Sequence, residues 1–110
     1  LLRIGREKMS KKVVNEYLKK GAVVFGVDGS VSLMLPSNAL ENDDFSLEQL
    51  QKAVGGQIEF YPLLVNGCYV IVNEEGLLDG LPFNWNFYEY SKKRVKVVGA
   101  VVLVPARYIK

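Results

Sequence analysis

The chain has 110 residues, 49% of them apolar and 24% charged, which suits one soluble domain with a single modest core. It contains no histidine and one cysteine, Cys68. This excludes Ser-His-Asp and Cys-His catalysis, internal disulfides and multi-cysteine zinc sites, and shifts the expectation from enzyme to binding protein with no cofactor and no metal.

The net charge of +2 is unevenly spread: residues 1–20 carry +5, residues 21–91 carry −9 and residues 92–110 carry +6. Basic ends around an acidic middle either fold back as complementary, solvated faces or present a basic patch to an anion. No apolar run reaches the roughly 20 residues of a membrane span, and "LLRIGREK" lacks the apolar core of a signal peptide. The expected location is the cytoplasm of a bacterial host, with no membrane partner. "MSKK" at Met9 resembles a natural start, so residues 1–8 are expected to be an upstream extension.

A single domain is expected over 1–110, with a basic N-terminal extension and helix over 1–20 and an α+β core over 22–105. "SKKVVNEYLKKG" predicts a helix over about 11–20, with Ser10 as N-cap, Val13, Val14, Tyr17 and Leu18 as the apolar stripe and Gly21 at the stop. "AVVFGVDGSVSLMLP" predicts a hairpin with strands near 22–27 and 30–35, turning on Asp28-Gly29 and ended by Pro36. "DFSLEQLQKAVGG" predicts a helix over about 47–54. Ser46 and Gln49 have capping-box spacing, Phe45 and Leu50 staple spacing, and Leu47, Leu50 and Val54 form the core-seeking face. Gly55 or Gly56 supplies the left-handed stop.

"QIEFYPLLVNGCYVIVNEE" predicts a second hairpin on Asn66-Gly67, pairing Val65 with Cys68, Leu63 with Val70, Tyr61 with Val72 and Glu59 with Glu74. Both faces are apolar, so it should be buried or central, with an edge or bulge at Pro62 and Cys68 as a small core side chain. Glu59 opposite Glu74 sets like charges across the ladder. Either a proton, cation or lysine compensates, or the ladder slips at Pro62 and both carboxylates reach water. An oxygen-ligated metal hydrolase using Glu59, Glu74 and Glu75 is the least favoured functional reading. "VKVVGAVVLVP", 95–105, predicts the last strand, with Gly99 at a bulge or close approach. The sum is an α+β fold: a mainly antiparallel sheet of about five strands, from two hairpins plus a C-terminal strand, with two helices.

"FNWNFYEY" holds five aromatics, Phe83, Trp85, Phe87, Tyr88 and Tyr90, and the basic residues Lys92, Lys93, Arg94 and Lys96 follow. Such a segment closes a core, anchors a protein interface, or stacks a base while cations meet phosphate. The expected partner is a host or phage protein, with a homodimer through strand edges or the aromatics also considered. A nucleotide or single-stranded nucleic acid is the alternative ligand. No phosphate-binding glycine loop, helix-turn-helix or zinc finger is present.

Three stretches carry a resemblance: "LEQLQKAVGGQIEFYPL", "YVIVNEEGLLDGLPFNWN" and "VVGAVVLV". The residues concerned are Val54, Gly55, Gly56, Ile58 and Glu59, then Asn73, Glu74, Glu75 and Gly76, then Gly80, Leu81, Pro82 and Asn84. Over residues 31–104 the chain resembles a domain-of-unknown-function family of small proteins met in bacteriophages, plasmids and other mobile elements. The resemblance implies that context and no established activity or catalytic residue. The strongly aromatic segment after Asn84 and the basic N-terminal helix depart from the family.

Overall fold

A computed structural model describes residues 2–37 and 44–109, with side chains from residue 11 onward. The elements in chain order are α1 (Leu2–Lys20), β1 (Ala22–Phe25), β2 (Val31–Met34), α2 (Leu47–Val54), β3 (Ile58–Phe60), β4 (Cys68–Asn73), α3 (Trp85–Tyr90) and β5 (Val101–Pro105), followed by a 3-10 turn at Ala106–Tyr108. The five strands form one antiparallel sheet in the order β2-β1-β5-β4-β3. The architecture is α+β, as the sequence led us to expect.

The C-terminal strand lies in the middle of the sheet. β5 pairs with β1 on one side and β4 on the other, joining the two hairpins. Every residue of β5 is buried, which explains a run with no polar alternation: a central strand covered on both faces needs apolar side chains throughout. Val101 and Leu103 join Val23, Phe25, Val70 and Val72 in one core, closed by Val14 of α1 and Phe87 of α3. Val102 and Val104 join Ala22 and Ile71 in a second core, closed by Leu50 and Val54 of α2 and by Tyr108.

Local signals place α2 well. Ser46 Oγ accepts from the Gln49 amide at 3.1 Å, and Gly55, at φ +78°, stops the helix. The capping box is only half made, because the Gln49 carboxamide is used elsewhere. It accepts from the Ser37 amide at 3.0 Å and donates to the Leu35 carbonyl at 2.6 Å, tying the exit of β2 to α2. Leu47 is exposed, leaving Leu50 and Val54 as the buried face.

Several expectations need correction. α1 runs from Leu2, so Ser10 lies inside a helix and is not its N-cap. Arg107 and Tyr108 reach back to its other end: Arg107 Nη2 donates to the Leu18 carbonyl at 2.7 Å and Tyr108 Oη to the Lys20 carbonyl at 3.3 Å. The first hairpin turns on three residues, since the Gly26 amide bonds the Ser30 carbonyl at 2.9 Å and Gly29 takes φ +92°. A turn followed by a left-handed glycine suits the strand twist, and the Asp28 carboxylate accepts from the Ser30 amide at 2.9 Å. β5 begins only at Val101 because Gly99, at φ +79°, kinks the run, and Val98 forms an isolated bridge with Phe83.

The second hairpin turns on Asn66-Gly67 with Val65 opposite Cys68 as expected, but its register then shifts by two residues. The Tyr61 amide bonds the Val70 carbonyl at 2.8 Å, and Glu59 pairs with Val72. Pro62 has no N–H for the ladder, so Pro62 to Leu64 bulge out against a single residue, Tyr69. Glu59 and Glu74 therefore do not oppose each other, and both are exposed.

Cys68 is buried, and desolvation holds its thiol above its ordinary pKa of 9.0 against a weaker opposing pull from Arg107. Burial likewise holds Tyr90 above its ordinary 10.0. Folded-state pKa values raised above the unfolded ones mean stability that is intact below about pH 9 and falls as pH rises beyond it. Denaturant midpoints between about pH 8.5 and 10 should decline for the wild type. In Cys68→Ala they should start lower but decline less steeply; parallel curves would show that the thiol is not a source of the loss.

Candidate functional site

The surface of interest starts where β4 ends. Asn73 is buried, its Oδ1 accepting from the Glu75 amide at 2.8 Å and its Nδ2 donating to the Val54 carbonyl at 3.2 Å. It thus fastens the turn after β4 to the end of α2. Gly56 is required beside it, because a Cβ there would stand 2.9 Å from Asn73 Nδ2. The following loop closes on itself, with the Leu81 amide bonding the Gly76 carbonyl at 3.0 Å. It exposes Glu74, Glu75 and Asp79, and its tip residues Leu77 and Leu78 are 83% and 85% exposed. Leu81 packs on Gly99, where a Cβ would meet Leu81 Cδ1 at 2.8 Å.

The chain then pairs briefly with residues 97–99. The Gly99 amide bonds the Pro82 carbonyl at 2.8 Å and the Asn84 amide bonds the Val97 carbonyl at 2.9 Å, flanking the Phe83–Val98 bridge. Asn84 itself is fully buried. Its Oδ1 caps α3 by accepting from the Phe87 amide at 2.8 Å, and its Nδ2 donates to the carbonyls of Phe25 and Gly99 at 3.0 and 2.8 Å. Next to it, Asn86 Nδ2 donates to the carbonyls of Gly26 and Ser30, fixing α3 to the first hairpin turn.

Held there, α3 separates the aromatics by face. Phe87 is 0% exposed and packs with Tyr90 against Phe25, with ring centroids 4.9 to 5.7 Å apart. Phe87 is thereby closed off from any partner, whereas Tyr90 stays half-buried and accepts a hydrogen bond from Asn66 at 3.3 Å. On the outer side, Phe83, Trp85 and Tyr88 form an edge-to-face trio with centroid separations of 4.5, 5.5 and 5.6 Å. Trp85 remains 64% exposed within it. Rings at i and i+3 meet along one helix face, which is why Trp85 and Tyr88 point together. No strong signal announced α3: it has six residues, mostly aromatic or amide-bearing, and depends on packing and on its Asn84 cap.

The basic flank follows α3 directly in the chain. Val95 and Val97 pack into the first core, and the Val98–Phe83 bridge places Val98 beside the aromatics. Gly76 packs close to Val98 as well, where a Cβ would stand 2.9 Å from Val98 Cγ2. Lys92 and Lys93 terminate α3 at φ +57° and +66°, their amides bonding the carbonyls of Glu89 and Tyr88. Left-handed conformations cost a non-glycine residue of order 1–3 kcal/mol each. Cations near a helix C-terminus recover only about 0.3–1 kcal/mol, so the strain exceeds that compensation. Lys92, Lys93, Arg94 and Lys96 are exposed and form no ion pair among the described residues, where Lys19–Glu16 at 3.5 Å is the one present.

Residues 30–108 match DUF3846, a domain of unknown function. The chain belongs to this family. The DUF3846 match covers β2 through the 3-10 turn and leaves out α1 and β1, although β1 sits inside the sheet between β2 and β5. No curated protein and no solved structure matches the chain. In this DUF3846 protein, Gly56, Asn73, Gly76 and Asn84 work as joints between elements, and Gly80 takes φ +67° in the loop. The carboxylates at Glu59, Glu74 and Glu75 face water, and among the described residues no three acidic or thiol groups stand close enough to hold a metal ion.

A second depression, an open groove of about 740 Å³, runs between α1 and the Asn66-Gly67 turn beside Lys12, Glu16, Cys68 and Arg107. Its cysteine is held as the neutral thiol and its Arg107 already bonds the Leu18 carbonyl, so it offers neither a nucleophile nor an unengaged guanidinium.

Asn84→Ala should destabilise the protein by about 2–4 kcal/mol, since it removes a cap and two buried hydrogen bonds to main-chain carbonyls. Asn84→Asp keeps the capping acceptor but turns a carboxylate toward both carbonyls. Its loss at neutral pH should equal or exceed that of alanine and shrink in acid, as the proton restores a donor. Chemical denaturation of both variants measures this. By contrast, Lys92→Gly and Lys93→Gly should each stabilise by about 1 kcal/mol, because glycine accepts the left-handed conformation; a loss in either would show that the lysine side chains support the fold.

Proposed function

We propose that this protein is a small non-enzymatic accessory protein of a phage or mobile element. In this reading it works in the bacterial cytoplasm by binding a host protein through the Phe83–Trp85–Tyr88 surface. The observation that carries the reading is a 64%-exposed tryptophan, braced edge-to-face by two other rings on a helix whose other side is sunk in the core. Rigid aromatic anchors of this kind dominate binding energy at protein interfaces. The exposed Leu77 and Leu78 extend its apolar area. The mobile-element setting, and with it a host-takeover or anti-defence role, rests on the sequence resemblance.

The exposed cations that follow α3, without an ion pair among the described residues, favour one second reading, in which the trio stacks bases and Lys92, Lys93, Arg94 and Lys96 meet phosphate. Against it stand the exposed acids Glu74, Glu75 and Asp79 on the loop that leads into the same aromatics, which disfavour a phosphate backbone. A protein surface of mixed charge accommodates both flanks.

Affinity capture from bacterial lysate, followed by titration of the purified captured protein, tests the proposal. Trp85→Ala and Tyr88→Ala should each weaken binding by about tenfold or more, with the melting temperature kept. Binding unchanged by Trp85→Ala would overturn it. Fluorescence of Trp85, the only tryptophan, separates the alternatives: salt-sensitive quenching by oligo-dT supports nucleic acid, and concentration-dependent sedimentation of the protein alone would point to a homodimer.

A further inference from the structure

We infer that the Lys92–Lys93 turn is a specificity element that reads an acidic segment of the protein partner, beside the aromatic anchor. This deepens the reading above and rests on it. Two consecutive lysines occupy left-handed conformations at the end of α3, where glycine would be relaxed. Their amides are satisfied by Glu89 and Tyr88, so the backbone gains nothing that glycine would not also provide. What lysine adds is charge. With Arg94 and Lys96 the turn presents four exposed cations within five residues, unpaired among the described residues.

Strain retained where a relaxed residue would serve is characteristic of functional positions. The placement gives it a use. The Lys93 amide bonds the Tyr88 carbonyl, so the turn is joined directly to the helix that carries Trp85 and Tyr88. The acids of the Glu74–Asp79 loop are exposed on the segment that leads into the trio. A partner complementary to this surface carries an apolar or aromatic anchor with acidic residues on the side that meets the turn. Charge pairs at an interface rim set orientation and exclude wrong partners more than they add affinity, which suits an exposed turn beside a hydrophobic anchor.

Selection of binders from a random-peptide display library, with oligo-dT titrated in parallel, tests the inference on the full chain. The wild type should enrich peptides in which Asp or Glu flank a Leu, Phe or Trp. The Lys92→Gly/Lys93→Gly variant should melt about 4 °C or more higher, still enrich the apolar anchor, and lose the acidic preference. Enrichment without acidic bias, acidic bias surviving in the double glycine variant, no enrichment at all, or no gain in melting temperature would each overturn it. Preference for oligo-dT over every selected peptide would overturn it in favour of nucleic acid. Trp85→Ala separates the two claims. If the acidic preference persists while the anchor is unaffected by that change, the aromatic reading fails; if Trp85 matters and acids do not, only the turn's role fails.

Discussion

The side chain of Asn84 is a buried amide in an otherwise apolar layer, and its position is over-determined because every polar atom must find a partner there. Its oxygen takes the free Phe87 amide in the first turn of α3, and its nitrogen spans the end of β1 and the kink at Gly99. Three chain segments distant in sequence are thereby brought to one point. Once that point is set, the rotation of α3 follows, and with it the choice of which rings are buried. Phe87 and Tyr90 turn toward Phe25, while Trp85 and Tyr88 are left outside with Phe83.

The same joint depends on the insertion of β5 between the hairpins. Each hairpin presents apolar side chains on both faces, which a two-stranded ribbon in water cannot bury. The last strand closes both cores at once, with odd positions serving one layer and even positions the other. To enter the sheet there, the chain must return from α3 past residues 83 and 84. That return carries Val98 to Phe83 and leaves the strained lysines at the corner. The charge beside the candidate surface is thus a consequence of the path the chain takes into its own core.

The acidic residues that drew attention in the sequence have a different fate. The pairing that would have set Glu59 against Glu74 is removed by the bulge at Pro62, and the acids of the next loop point to solvent around two exposed leucines. Asn73, Gly76 and Asn84, read first as marks of resemblance, act within the fold: Asn73 and Asn84 hold the segment that presents the aromatics, and Gly76 leaves room for Val98.

What the residues determined unaided was the set of features whose partners lie a few positions away. Ser46 capping α2, Gly55 ending it, and Asn66-Gly67 setting Val65 against Cys68 all satisfy backbone groups within a turn of chain, so their chemistry is readable locally. The valine-rich last strand was legible too, because only a doubly covered strand can be so apolar. Tertiary structure decided the rest. Strand order, the two-residue shift at Pro62 and the existence of α3 arise from long-range pairing and packing, the farthest Asn84 bond spanning 59 residues. Which aromatics face water, and that Lys92 and Lys93 hold left-handed conformations, depend on how a six-residue helix is seated against a strand far away in the chain. No pattern within the helix itself carries that information.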